Sequence, residues 1–230
     1  MESGKTKYER IMCPNVIVCE GLDAKNYLIW LLEALKSEDA RFDHFHVFNA
    51  GGVGELPRFV KALPNLPNYS IVNTLTIGRD AEGDAKGAGE SVKRLLRNTN
   101  FASPDAPCKP CRPKGSENSV ITGYALFPSF ESDTVDGTLE DLCLETLAGK
   151  NAPEILDVAD RALARVEEKF GKFKRRHKNR LHTYLSLTDE FVTGKLGESA
   201  KWGAYDSGHP KLNPLKEFLC SMADAAHSTP

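Results

Sequence analysis

The chain has 230 residues, 40% of them hydrophobic and 27% charged, with a formal net charge of −2, the composition of an ordinary soluble globular protein of one or two domains. No apolar run approaches the roughly 18 residues of a membrane span, and the N-terminal "MESGKTKYERIM" lacks the apolar centre of a signal peptide. The expected compartment is therefore the cytoplasm, and the charge alone names no partner.

Residues 1–14 read as a tail or short edge element. Val16 to Cys19 is a short apolar run bounded by polar residues, and Tyr27, Leu28, Leu31, Leu32 and Leu35 then recur at helical spacing, so a strand feeds a helix. "FDHFHVF", Phe42 to Phe48, alternates apolar and polar positions; "NAGGVGEL" supplies a glycine turn, and "LPRFVKAL" a second helix. "YSIVNTLTI", Tyr69 to Ile77, is rich in β-branched residues and leads through "GRDAEGDAKG" to the amphipathic "ESVKRLLRN". After a long loop rich in Pro, Ser and Lys, "VITGYALFPSF" predicts a fourth strand and "GTLEDLCLETLAG" a helix with Thr138 as N-cap. Four strands alternating with helices predict a parallel sheet covered on both faces, with its active groups at the carboxyl ends of the strands. From Pro153 onward the periodicity is helical with no strand signal, and the chain divides into an α/β unit over 15–148 and a helical extension over 149–230. Trp202, Leu215, Phe218 and Leu219 are the residues expected to dock that extension.

Six cysteines are scattered through the chain, which suits reduced thiols better than a disulfide framework. "CKPC", Cys108 to Cys111, has zinc-knuckle spacing, but no second Cys-x-x-Cys or His-x-x-x-His supplies two further ligands, and a Pro-rich surface loop is the simpler reading.

Acids follow the predicted strands: Glu20 and Asp23 after the first, Asp80, Glu82 and Asp84 after the third, Glu140 and Asp141 soon after the fourth. Brought to one sheet edge without basic partners, carboxylates raise each other's pKa, which is a poor arrangement for stability and a good one for a hard cation such as Mg²⁺ or Mn²⁺. Each acid also has an ordinary reading. Glu20 could be a solvated acid leaving the strand, Asp23 a helix cap, and Asp80, Glu82 and Asp84 loop residues, while Glu140 and Asp141 suit a helix's first turn.

"VCEG", the glycine-bearing "NAGGVGEL" and "TIGRDAEGDA", in that order and strand context, resemble the Toprim domain shared by topoisomerases, bacterial primases, recombination mediators and OLD-type nucleases. The acids of "TLEDL" resemble the OLD-type branch, and the arrangement through "GAYDSGHPKLNPLKEFL" is similar to small stand-alone Toprim-like bacterial proteins of unknown function. The resemblance implies a Toprim-like, Rossmann-like sheet and Mg²⁺- or Mn²⁺-dependent phosphodiester chemistry on DNA or RNA. Glu20 would take the acid/base or metal-ligand role, and Asp80 would match the first aspartate of an Asp-x-Asp pair. Glu82 stands at the second position of that pair, with Asp84 as a rival ligand. Glu140 and Asp141 would match the extra acids of the OLD-type branch. Many of its members carry an acid four residues after the glutamate, where this chain has Ala24, and Asp23 is the nearest substitute. Topoisomerases need a tyrosine from another domain and primases need template modules, so nuclease is the enzyme reading with the fewest missing parts. OLD-type domains are usually fused to an ATPase, and this chain has no Walker motif. A separate ATPase subunit in phage defence or DNA repair would complete that arrangement. The alternative is a non-catalytic binding or scaffold subunit of a larger complex, and either role is compatible with a homo-oligomer.

"KFGKFKRRHKNR", Lys169 to Arg180, holds seven Lys/Arg and no acid. Lys174, Arg175, Arg176 and Lys178 could grip a phosphate backbone, or form a solvated helix face. Arg79 could neutralise a phosphate or pair with a nearby acid. "NAGGVGEL" reads as a tight strand-to-helix turn and, less simply, as a phosphate-cradling one. His44 and His46 read as structural.

Overall fold

The computed structural model describes residues 10–113, 119–192 and 194–227. The expected tail over 1–14 therefore lies partly outside the described residues; from Ile11, whose N–H donates to the Pro67 carbonyl at 3.0 Å, the chain is attached to the body of the fold.

Four strands, β1 (Asn15–Cys19), β2 (Phe45–Asn49), β3 (Thr74–Asp80) and β4 (Ile121–Phe127), form one sheet in the order β2-β1-β3-β4, every pair parallel. The connecting helices are α1 (Leu22–Leu35), α2 (Leu56–Ala62) and α3 (Ala85–Asn98). The remainder are α4 (Leu139–Glu145), α5 (Ala152–Phe170), α6 (Arg176–Ser186), α7 (Leu196–Lys201) and α8 (Asn213–His227). This is the α/β architecture that the alternation predicts, a Rossmann-like parallel sheet flanked by helices.

Successive strand residues point to opposite faces, and here both faces are covered. Ile17, Cys19, Ile121, Ala125 and Phe127 join α1, α4 and α8 in one hydrophobic cluster, while Val16, Val18, Leu75, Ile77, Tyr124 and Leu126 join α2 and α3 in the other. Double-sided burial is why the strands read as continuous apolar runs. The helical extension packs on the first face: Leu215, Phe218 and Leu219 are buried as expected, whereas Trp202 is 48% exposed. Gly123 in β4 makes room for this docking, since a Cβ there would sit 2.7 Å from Phe218 Cε2.

Two strand boundaries differ from the sequence reading. Ala40–His44 and Tyr69–Ile71 are 3₁₀ turns, so β2 and β3 begin later than the alternation suggests. The Asp39 carboxylate accepts from the Arg41 N–H at 2.9 Å, a local bond that competes with pairing to the sheet. In the long loop, Cys108 N–H donates to the Tyr124 carbonyl, and Cys111 exchanges hydrogen bonds with Thr122. "CKPC" thus lies along the outer edge of β4 and satisfies backbone groups that would otherwise offer a free sheet edge. The Cys108 thiol is pushed by burial up to about 12.

The chain leaves β1 toward β2 on one side, then returns to place β3 on the other side of β1. The crevice at the carboxyl ends of β1 and β3 is the switch point where open α/β sheets bind ligands.

Candidate metal centre at the switch point

Glu20 follows the last residue of β1, and its N–H donates to the Gly78 carbonyl of β3 at 3.0 Å, which anchors it over the crevice. The "NAGGVGEL" turn closes on the same residue, with Gly52 N–H donating to the Glu20 carbonyl at 2.7 Å. Gly51 and Gly52 have φ of 93° and 124°, which is why glycine is needed in this turn. Asp80 ends β3, and its Oδ1 accepts from the Leu139 N–H at the start of α4, at 2.9 Å. Glu82 is held just beyond by paired 2.7 Å backbone bonds with Gly137.

Glu20, Asp80 and Glu82 each offer one carboxylate oxygen such that all three atoms lie within 4.8 Å of one another, the one such grouping of His, Cys, Asp and Glu among the described residues. Glu20 Oε2 is buried with no hydrogen-bond partner; its nearest cation is the Arg79 Nε at 4.0 Å. Burial pushes the Glu20 carboxyl up, Arg79 opposes this, and the Glu82 charge adds to it. Burial likewise pushes Asp80 up to about 7; the Leu139 N–H opposes that rise, and Glu140 and Glu20 reinforce it. Glu82 adopts φ of 56°, a left-handed conformation that is costly for a residue with a Cβ. Its exposed side chain costs nothing to solvate, so packing offers no reason for that backbone.

Glu140 lines the same cleft, of about 190 Å³, but its Oε1 accepts from Lys178 Nζ at 2.6 Å. Burial pushes the Glu140 carboxyl up, yet the Lys178 hydrogen bond and charge outweigh it and the net direction is down. Lys178, which the sequence places in a basic run, is thus turned inward as the counter-ion of a site acid. Its run offers no signal of which cation faces the sheet, because α6 itself has to be placed before its inner face is defined.

The other candidates cap backbone. Asp84 is the N-cap of α3, with Oδ1 accepting from Gly87 N–H at 2.8 Å; that helix begins at Ala85, earlier than its apolar periodicity suggests. Asp141 Oδ2 accepts from Thr138 N–H at 2.8 Å, as in a capping box. Asp23 Oδ1 accepts from the Gly197 N–H of α7 at 3.3 Å, tying the extension to α1. None of these three acids joins the close carboxylate group. Among the basic candidates, Arg176 bonds Glu167 and Asp160, Lys174 and Arg175 are exposed, and Arg79 stays beside Glu20 while its Nε donates to the Asp80 carbonyl at 3.2 Å.

A family model described as "Protein of unknown function (DUF3226)" matches residues 14–224. The chain belongs to this family. No curated protein and no solved structure matches it. The match spans the sheet, the acid group and most of α8, so family membership covers the site together with its helical buttress.

Proposed function

We propose that this DUF3226 protein is a metal-dependent phosphodiesterase, a nuclease with a Toprim-like acidic site. The observation that carries this reading is the meeting of Glu20, Asp80 and Glu82 at the switch point, with one Glu20 oxygen buried, accepting no hydrogen bond and only 4.0 Å from the Arg79 Nε. A buried carboxylate oxygen without a donor is costly unless something else supplies positive charge. The donor set is all oxygen, which selects hard cations, Mg²⁺ or Mn²⁺. The cleft is lined by the acids Glu20, Asp23, Asp80 and Glu140 against the cations Arg79 and Lys178, and Glu82 adds a further carboxylate beside Glu20 and Asp80, so ionisation of these acids leaves the site with an excess of negative charge that a divalent cation would offset. Such an ion supplies Lewis-acid polarisation of a phosphate oxygen and a more acidic bound water.

The chain's own groups do the rest. Asp80 and Glu82, two residues apart at the end of β3, would supply ligand oxygens, with the Glu82 backbone held by its bridge to Gly137. Glu20, whose carboxyl burial pushes up from its ordinary value, is placed to take the proton of an attacking water. Lys178 keeps Glu140 ionised and lends positive charge to the cleft. The purified chain, supplied with Mg²⁺ or Mn²⁺, is expected to cleave DNA or RNA, and Glu20→Gln and Asp80→Asn to abolish cleavage while remaining folded. Absence of cleavage on both polymers, together with no Mn²⁺ binding by isothermal titration, refutes the proposal.

The Lys178–Glu140 pair favours one second reading, because it withdraws an acid from any two-metal set. In that reading the protein is a scaffold subunit beside a separate ATPase. Retention of biological activity by Glu20→Gln, with an ATPase co-purifying, would favour it.

A further inference from the structure

A second cleft of about 340 Å³ lies between α2 and α3, on the sheet face opposite to α1 and α8. Its cations are Lys61 of α2, Arg79 of β3 and Arg94 of α3, and no acid lines it. Lys61 and Arg94 are exposed, and neither makes an ion pair among the described residues. Arg79, by contrast, is largely buried and lines both this cleft and the acidic one, so the two meet at its side chain. The floor is apolar, with Leu56, Val92 and Leu95 buried beneath the charged rim.

The geometry points to a nucleotide-binding subsite in this cleft: it takes a nucleoside monophosphate unit of the substrate strand adjacent to the phosphate positioned at Glu20 and Asp80. Lys61 and Arg94, in a cleft that no acid lines, form an anion site with Arg79, which also faces Glu20, at its inner end, and the surrounding wall lowers the local dielectric, which strengthens the attraction. Bare phosphate would leave the apolar floor uncovered, whereas a ribose and base bury it, and a cleft of several hundred Å³ has the size of a small-ligand site. Continuity through Arg79 then puts the bound phosphate on a path leading to the carboxylates, so the strand would run from the basic face of the sheet over its carboxyl edge.

This inference rests on the phosphodiesterase reading for the role of the bound nucleotide, but its binding test does not need a metal. A 5′-deoxynucleoside monophosphate, and separately inorganic phosphate, are titrated into the full chain in EDTA, with the wild type and the Lys61→Ala/Arg94→Ala variant compared. Both residues are exposed, so the variant is expected to melt at the wild-type temperature. The expected result is saturable binding of the mononucleotide, tighter than that of phosphate, weakened at least tenfold in the double variant, with Mn²⁺ affinity unchanged. Equal affinities for phosphate and mononucleotide, or equal mononucleotide affinities for the two proteins, overturn the subsite. Failure of Mn²⁺ to bind the wild type instead overturns the metal centre and leaves the EDTA titration to be judged separately.

Discussion

Replacing Asp80 by Asn separates a site acid from a structural one. In the folded chain, burial pushes the Asp80 carboxyl up to about 7 from an ordinary value of 3.8. Because the folded form holds its proton more tightly than the unfolded chain, folding is favoured at low pH and the advantage is lost as pH rises from about 4 to about 7. At about 1.36 kcal/mol per tenfold, holding the ionised carboxylate in the metal-free fold costs at most about 4 kcal/mol above that window. Asn keeps an oxygen to accept the Leu139 N–H, but its amide must also leave water, so the expected gain at pH 8 is about half that ceiling, on the order of 2 kcal/mol. Urea unfolding followed by the fluorescence of Trp30 and Trp202 at several pH values between 5 and 8 measures this directly. The wild type in EDTA should lose stability as pH rises, Asp80→Asn should flatten that slope, and saturating Mn²⁺ should stabilise the wild type at pH 8 while leaving Asp80→Asn unmoved. A wild type whose stability is constant or rises over that interval, or an Asn variant that is destabilised with the slope intact, would show that Asp80 is not held as a buried, metal-free acid.

Glu82→Gly should raise stability or leave it unchanged, since glycine relieves a left-handed conformation that costs roughly 1 kcal/mol in a residue with a Cβ, and should weaken Mn²⁺ binding at least tenfold; urea unfolding and calorimetric titration read the two effects. Lys178→Met leaves Glu140 buried beside Asp80 without its cation, so an unfolding free energy lower by roughly 3 kcal/mol is expected at pH 8, with part recovered by adding Glu140→Gln; additivity of the two changes would argue against the pair. Gly123→Ala drives a methyl into Phe218 and should cost about 1–3 kcal/mol, read as a lower midpoint in urea, whereas an unchanged midpoint would show that α8 does not press on β4 in solution.

Much of the architecture was legible because it rests on local rules. The apolar runs at 16–19 and 121–127 marked doubly buried strands, and the recurrence of Tyr27, Leu31 and Leu35 marked the inner face of α1. What periodicity could not give were the starts of β2 and β3, where Asp39 and the 3₁₀ turns intervene, and the start of α3, whose first turn carries little but Ala and Gly and is defined by the Asp84 cap.

The acids divide in the same way. The alternation of strands and helices placed Glu20 and Asp80 after strands of a parallel sheet, and therefore at its carboxyl edge, while the pairing of β1 with β3 that makes them neighbours came from the fold. Only the tertiary structure decided which acids point into the crevice. Asp84 and Asp141 are spent on helix caps that local geometry makes, Asp23 on an amide brought by α7, and Glu140 on a lysine brought by α6. The physical reason is that a carboxylate's role is set by which donors reach it, and those donors arrive from elements far away in the chain. The same holds for Lys61 and Arg94, unremarkable in sequence, which share a cleft with Arg79 because the chain reverses direction at β1 and lays α2 and α3 side by side on one face of the sheet.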